Sequence, residues 1–466
     1  MKRLTEHFLS LTTSEIARKI FAFFTVAYLA RRLSLADFGL VSLGFVILSY
    51  LINISTAGIN LYGLRETARG MNKNIVGQLL SLQLFVSGIV FVVASVVIAL
   101  VVSNPVAATL IVALSISLFA YALLLEWFFQ GKEEMYTVSF GKSVTAAVYL
   151  VLVLLLVRSD RDIYWIAVAS VTGDFAMALF YYVKYRRAGN EVHLGIDRSM
   201  WKEIAQQSLP LGIGTMLGKI STNLAPLVLA IVMSEVEVGL YTAASKLVVF
   251  LLLFDRVLGY LLLPASARIK VSSPEQLAPR LEVAMKWILL TAFPICVGGT
   301  LVSGDVIHFV FGEAYAAAGD AFRILVWFLF FTMIHTVFTS GLVAVAPSKV
   351  YGRVMSISAV IYLVAIVALT KMYGLQGAAY GVVASEGLTL LVARANLRPY
   401  LQIKVSIPIH WVLVALAVMT GGVLILQPYS FVLRVIVGAL LYGSVLLALH
   451  VFTVDEIASL VWRKST

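Results

Sequence analysis

Long runs of apolar residues dominate this chain, and short polar stretches separate them. A run of about 17 to 25 such residues can cross the hydrocarbon core of a bilayer as a helix. The pattern predicts an all-α integral membrane protein with about fourteen transmembrane helices. We place these spans over residues 13–33, 38–62, 76–102, 105–129, 136–157, 163–183, 208–233, 239–263, 285–303, 322–345, 352–370, 377–397, 409–427 and 431–452.

The composition excludes a soluble globular protein. Of the 466 residues, 61% are hydrophobic and only 13% are charged, whereas soluble domains carry about 25% charged residues. The mean hydropathy is +0.97. Thirteen connections average only about eleven residues if each span takes about 21, so no separate catalytic or ligand-binding domain fits. We therefore expect the function to lie inside the membrane or at its faces.

The basic residues are distributed unequally between the two sides of the predicted bundle. Of the 35 lysines and arginines, 23 fall on one side, seven on the other, and five inside or near spans. The positive-inside rule then places both termini in the cytoplasm and supports an even number of spans. The net charge of +11 is thus explained by the membrane rather than by nucleic acid. We expect no cleavable signal, because the first apolar segment contains Arg18 and Lys19 and has no small-residue cleavage pattern.

A short motif recurs 200 residues apart. Residues 34–40 and 234–240 share the pattern Ser, two variable positions, an acid, an apolar residue, Gly and Leu, and Lys19 aligns with Lys219 at the same offset. The repeat predicts two six-helix lobes in the same orientation, related by a pseudo-twofold axis along the membrane normal, as in parallel-repeat transporters. We assign 1–200 to the first lobe, 201–400 to the second and 401–466 to two additional helices.

Ionisable side chains within spans are the candidate functional residues, because such groups are costly in hydrocarbon and usually face the protein interior or a water-filled cavity. Polar stripes on segments one, seven and eight predict a central cavity of positive potential. Its candidate substrate-binding residues are Arg18, Lys19, Lys219, Asn223, Lys246 and Arg256. Local pairing is the alternative for three of them, since Glu15 precedes Arg18 and Lys19, and Asp255 precedes Arg256.

Two deep acids could instead carry a coupled ion. Asp174 and Glu386 lie well inside their spans, and each is expected either to bind a proton or sodium ion or to pair with a cation. Glu126 and Asp305 lie nearer to helix ends, where solvation is expected.

The chain shows no pattern that is typical of catalysis or metal binding. No two of the six histidines stand at i, i+4 spacing, and Cys296 is the single cysteine, expected to be buried and inert. Glycine pairs such as Gly212 and Gly214 fit helix packing better than phosphate binding. We expect neither enzymatic activity nor a metal or other cofactor.

Several short motifs resemble one family in order and spacing. They are Phe38–Leu40, Glu126–Gly131, Val238–Lys246, Phe311–Tyr315 and Tyr373–Ala379. They resemble the polysaccharide flippases of bacterial O-antigen and capsule synthesis, within the multidrug, oligosaccharidyl-lipid and polysaccharide exporter superfamily. The likeness covers about residues 10–400, and members with twelve and with fourteen spans are both familiar.

The resemblance implies a flippase in the bacterial inner membrane that moves undecaprenyl-pyrophosphate-linked sugar units from the cytoplasmic to the periplasmic leaflet by alternating access. It implies the lipid-linked glycan and the bilayer as partners, with a polysaccharide polymerase and chain-length machinery as further candidates. A multidrug antiporter of the same superfamily and a lipid-linked peptidoglycan precursor flippase remain alternatives. A membrane-embedded polysaccharide polymerase is a third, which would be expected to carry a large periplasmic loop.

Overall fold

A computed structural model describes residues 18–70, 74–404 and 408–451 of the chain. Every regular element within these ranges is helical. The first helix, α1, covers residues 18–32. The others are α2 (Leu35–Thr56), α3 (Ile59–Ala68), α4 (Asn74–Val101), α5 (Pro105–Ser115), α6 (Ser117–Ala122), α7 (Glu126–Gly131), α8 (Met135–Leu156), α9 (Ile163–Arg187), α10 (Arg198–Val232), α11 (Glu235–Leu251), α12 (Leu253–Ser272), α13 (Leu277–Leu301), α14 (Ser303–Phe311), α15 (Ala318–Val345), α16 (Ser348–Leu397), α17 (Ile409–Ile425) and α18 (Phe431–Ala448).

The protein is an all-helical membrane protein, as the apolar pattern predicts. Ten helical stretches among the described residues are long and apolar enough to cross a bilayer, and two shorter apolar stretches lie at 223–232 and 409–425. The total of fourteen spans stays a prediction. The chain divides into two compact units, one up to Thr242 and the other from Ala243 onward. The assignment of lobes at 1–200 and 201–400 also stays a prediction.

Helix α16 is a hairpin rather than one rod. Gly374 interrupts it with φ 58° and ψ −132°, and only glycine reaches such a backbone conformation without strain. The two arms then run back along one another. A Cβ at Gly377 would collide with the carbonyl oxygen of Leu369, and one at Gly381 would lie 2.8 Å from the Cα of Ile366. The two glycines thus allow close packing of the two arms. The arms correspond to the two spans that the sequence predicts here, 352–370 and 377–397.

The fourth predicted span is not continuous. Residues 105–131 form three short helices, α5, α6 and α7, with breaks at Ile116 and at 123–125. Asn104 accepts hydrogen bonds from Val106 N (3.0 Å) and Ala107 N (3.3 Å), so α5 begins with a side-chain cap followed by proline. The later breaks carry neither proline nor glycine, so local sequence does not signal them.

The core of the first unit is aromatic. Trp127 and Phe129 of α7 are buried with Tyr181 and Tyr185 of α9, and the Tyr181 hydroxyl donates to the carbonyl of Val138 at 2.8 Å. Glycines admit the large rings. A Cβ at Gly63 would lie 2.6 Å from the Trp127 ring, and one at Gly131 would lie 2.6 Å from Thr67. The motif Glu126–Gly131 is thus largely a packing motif.

The two copies of the repeated motif touch within the first unit. Ser34 caps α2 by accepting from the Asp37 amide at 3.1 Å and donating to its carboxylate at 2.7 Å, while the Ser234 hydroxyl bonds Glu237 at the start of α11. A Cβ at Gly39 would collide with the carbonyl oxygen of Glu235. The motif therefore caps a helix and allows close approach of two backbones.

The last two helices pack against α13 within the second unit. Residues of α17 and α18 form a buried apolar cluster with Leu290 of α13, and the Tyr442 hydroxyl donates to the Leu290 carbonyl at 3.0 Å. Arg434 of α18 is buried and forms an ion pair of 2.5 Å with Asp305 of α14. Asp305 is half-exposed. The ion pair between Arg434 and Asp305 therefore holds α18 against α14.

The variant Gly39→Ala should destabilise the protein, because its methyl group meets the Glu235 carbonyl. Overpacking of this kind costs about 1 to 3 kcal/mol. Thermal unfolding in detergent should show a lower midpoint than for Gly88→Ala, since Gly88 has open space around its Cβ position. Equal midpoints for the two variants would show that the motif glycine is not needed for packing.

The variant Arg434→Ala should loosen α18, because it leaves the Asp305 carboxylate without its cation. We expect a loss of about 1 to 3 kcal/mol of stability. Arg323→Ala is the control. It breaks the exposed pair with Asp320, and such surface pairs contribute about 0 to 1 kcal/mol. The comparison is again made by thermal unfolding, and a larger loss for the control would contradict the assignment.

Candidate functional site

Five of the eight candidate residues lie in the first unit: Arg18, Lys19, Asp174, Lys219 and Asn223. Arg18 and Lys19 are half-buried near the start of α1, and both have interaction partners. Asn223 of α10 donates weakly to the Ser49 hydroxyl of α2, with the two atoms 3.5 Å apart. The backbone of Lys219 lies in α10, and its side chain is outside the described part of the structure. The other three candidates, Lys246, Arg256 and Glu386, lie in the second unit.

Lys246 and Arg256 are both accessible, on α11 and α12 respectively. The motif before Lys246 is buried, with Val238, Ala243 and Ala244 each 0% exposed. Packing of these residues therefore anchors the helix that carries Lys246. Arg256 lies within electrostatic range of Asp255 and has further partners. Both cations are thus in positions from which an anion could be contacted.

Asp174 is the centre of a buried polar group in the first unit, which we call the Asp174 cluster. Its carboxylate is 5% exposed. The Ser117 hydroxyl lies close to it, although not in hydrogen-bond geometry, and the hydroxyls of Tyr121 and Tyr149 lie within electrostatic range. Arg18 is also within electrostatic range of Tyr121. Tyr121 thus lies within electrostatic range of both a candidate acid, Asp174, and a candidate cation, Arg18.

Glu126 has an internal partner rather than solvent. Its carboxylate forms an ion pair of 2.7 Å with Lys142 of α8 and accepts a hydrogen bond of 2.5 Å from Gln130. The side chain is only 21% exposed. The two charges neutralise each other where α7 meets α8, so Glu126 contributes to packing rather than to a free negative charge.

Glu386 has partners that the sequence analysis missed. One carboxylate oxygen lies 2.8 Å from Nδ1 of His335 on α15, and the other accepts a hydrogen bond from the Tyr362 hydroxyl on the first arm of α16. The Glu386 side chain is 7% exposed and that of His335 is 15% exposed. Of the two expectations for Glu386, pairing with a cation would therefore involve the His335 imidazole, which can be neutral or charged.

A second carboxylate lies beside this pair. Asp255 of α12 accepts a hydrogen bond of 2.6 Å from the Thr336 hydroxyl, one residue after His335, and lies within electrostatic range of both His335 and Glu386. We call Glu386, His335, Tyr362, Asp255 and Thr336 the Glu386 cluster. One signal could have revealed it: His335 and Glu386 both lie near the middle of apolar spans, where ionisable groups usually pair with one another.

Metal binding finds no support in these ranges. Within residues 18–70, 74–404 and 408–451, no group of three His, Cys, Asp or Glu side chains is placed to hold a metal ion. Cys296 is buried and its thiol donates to the carbonyl of Val326 at 3.2 Å.

Comparison with known proteins adds family and fold. Residues 4–270 match the family described as "Polysaccharide biosynthesis protein". A "Putative O-antigen transporter" of Shigella dysenteriae is 21% identical over 389 residues, which cover 80% of this chain and 95% of the relative.

Solved structures show the same fold at low identity. The lipid II flippase MurJ, in an inward closed conformation, matches with a TM-score of 0.74 and 13% identity over 97% of this chain and 98% of its own. A transporter of the superfamily that the motifs resemble, from Pyrococcus furiosus, matches with a TM-score of 0.58 and 15% identity over 84% of this chain and 93% of its own. More than half of the chain matches the family, and the chain therefore belongs to the polysaccharide biosynthesis protein family.

Proposed function

We propose that this protein is a flippase for lipid-linked oligosaccharides. In this proposal it moves undecaprenyl-pyrophosphate-linked units from the cytoplasmic to the periplasmic leaflet of the bacterial inner membrane by alternating access, with both termini in the cytoplasm. The family match, the relative named for O-antigen transport and the fold of a lipid II flippase support this function. The polymerase and chain-length machinery are proposed partners.

The observation that carries the proposal is that the exposed ionisable candidates are positively charged. Lys246 and Arg256 are exposed on helices whose sequences are apolar, whereas the deep acids Asp174 and Glu386 are buried. A pyrophosphate group loses its hydration when it leaves water, and that loss must be compensated. Cationic side chains offer charge-assisted hydrogen bonds to phosphate oxygens. A path lined by cations thus fits an anionic headgroup.

The membrane potential favours the proposed direction of transport. A negative charge that moves out of a negative cytoplasm gains about 2.3 kcal/mol per 100 mV. A pyrophosphate with two charges gains about twice that amount for complete transfer. The anionic substrate itself therefore supplies driving force for export.

Transporters with this fold could carry two alternative substrates, a cationic drug or a lipid-linked peptidoglycan precursor. A cationic drug would require an accessible acid, and the deep acids Asp174 and Glu386 are buried. A lipid-linked peptidoglycan precursor carries the same pyrophosphate, and thus it would use the same cations. Complementation distinguishes the two substrates, because transport of each lipid-linked glycan restores the synthesis of a different polymer, either O-antigen or peptidoglycan.

Substitution of the cations tests the proposal. In a strain that lacks its own O-antigen flippase, we expect Arg18→Ala, Lys219→Ala, Lys246→Ala and Arg256→Ala to lower polysaccharide export at normal expression. Each lost charged hydrogen bond costs about 1.5 to 3 kcal/mol, or about 10- to 100-fold in binding. Lys219→Arg, which keeps the charge, should retain partial export.

The matched control is Lys202→Ala, since Lys202 is an exposed lysine at the start of α10. It should export at the wild-type rate. If all four alanine variants also export at that rate, cations do not bind the substrate. Expression is followed by immunoblotting of the membrane fraction, so that loss of protein is not mistaken for loss of transport.

A further inference from the structure

We infer that the Glu386 cluster is a proton-binding site, in which Nε2 of His335 takes the proton and Glu386 supplies the compensating negative charge. The inference rests on the proposed function only for its role in transport. The binding of the proton itself depends on the arrangement of the side chains.

The first step is the pair between His335 and Glu386. Nδ1 of the imidazole lies 2.8 Å from the carboxylate, whose other oxygen accepts from Tyr362. An ionised carboxylate accepts hydrogen bonds and cannot donate them. The proton of a neutral imidazole therefore lies on Nδ1, and the other ring nitrogen carries a free lone pair.

The second step is the environment of that other nitrogen. Nε2 of His335 is buried and has no hydrogen-bond partner. Buried polar atoms without partners are uncommon and require an explanation. The free lone pair of Nε2 is the base that a proton can occupy, and protonation there gives an imidazolium that is paired with Glu386 through Nδ1. The reaction forms one N–H bond at Nε2 and breaks one O–H bond of a hydronium ion, which becomes water.

The third step is the charge around the ring. Helix α12 contributes Asp255 and Arg256, and the two arms of α16 contribute Tyr362 and Glu386. The Cys296 thiol of α13 contacts α15 at Val326, more than two turns from the ring. Asp255 thus lies within electrostatic range of His335, of Glu386 and of Arg256. A second carboxylate beside the pair favours the addition of a positive charge.

The donor set distinguishes a proton from a sodium ion. Hard cations such as Mg²⁺ and Ca²⁺ prefer several oxygen ligands, and the same preference is expected of sodium. Here one face of Glu386 is occupied by a ring nitrogen and the other by a phenol that donates its proton. Both carboxylate oxygens are thus engaged by hydrogen-bonding groups. The cluster therefore fits a proton better than a metal cation.

The location gives the proton a role in the proposed transport cycle. The cluster joins α12, α15 and both arms of α16, so a change of one charge alters the attraction among these elements. A proton that enters from the periplasm and leaves to the cytoplasm moves opposite to the glycan. The inward proton and the outward pyrophosphate are both driven by a negative interior.

Infrared difference spectroscopy on the purified, full-length protein tests the site without any glycan. Protein with ring-labelled histidine is stepped between pH values at constant salt. We expect an imidazole band and a coupled carboxylate band to change together in the wild type. In His335→Asn the coupled carboxylate change should be absent and the imidazole change should be smaller, because the other five histidines also carry the label. The coupled carboxylate change should persist in His308→Asn, the control, because His308 is exposed on α14.

The variant Glu386→Gln keeps the shape of the side chain and removes its charge. It should lose the carboxylate band and alter the response of the imidazole band to pH, because the imidazolium has lost its counter-charge. This variant also keeps the test decisive if His335→Asn fails to elute as a single species in size-exclusion chromatography. An unchanged imidazole titration in Glu386→Gln would overturn the proposal.

Two further outcomes would also overturn it. One is an identical difference spectrum for His335→Asn and the wild type. The other is a carboxylate band change produced by sodium chloride, but not by choline chloride, at constant pH, because this would identify a sodium site. Failure of the flippase proposal is distinguishable: a protein that shows the titration yet exports no polysaccharide retains the proton site and loses the transport assignment.

Discussion

The absence of water in the hydrocarbon core imposes the constraint on which this structure depends. A polar group in a span must find its partner inside the protein. Backbone groups do so by forming helices, and several hydroxyls bond back to their own helix, as Thr25 does to the Phe21 carbonyl at 2.8 Å. The ionisable side chains obey the same rule. Glu126 pairs with Lys142, Arg434 with Asp305, and Glu386 with His335.

This constraint separates structural charges from functional ones. The Glu126–Lys142 pair is complete, so it stabilises packing and carries no net charge to a substrate. The cations Lys246 and Arg256 differ, because their side chains are exposed on apolar helices. The Glu386 cluster is a third case: it is buried and hydrogen-bonded, yet one ring nitrogen lacks a partner. Accessible cations suit an anionic substrate, and the buried cluster suits a proton.

Much of the fold follows from the sequence, because hydrophobicity along the chain reports directly on spans. The apolar runs predict the long helices, and the break between segments eleven and twelve corresponds to the turn at Gly374. In both copies of the repeated motif the serine, Ser34 or Ser234, bonds the acid three residues later at the start of its helix, while the two-lobe assignment stays a prediction. The breaks within 105–131 escaped prediction because tertiary packing, rather than proline or glycine, sets them.

The candidate site was harder to predict for a physical reason. Hydropathy shows that a residue lies in a span, but it does not show which face of the helix that residue occupies. Asp174 and Glu386 were identified as deep acids, whereas the partnership of Glu386 with His335, 51 residues away, depends on how α15 packs against α16. The role of Lys219 stays a prediction.

The central claim is translocation of a lipid-linked glycan, and the most direct measurement is the side of the membrane on which that glycan appears. Spheroplasts of a flippase-deficient strain that still synthesises the lipid-linked unit are treated with a membrane-impermeant lectin. Expression of this protein should make the units accessible from outside within minutes, while an empty vector leaves them inside. Units that stay inaccessible, although the protein is present in the inner membrane, would contradict the account.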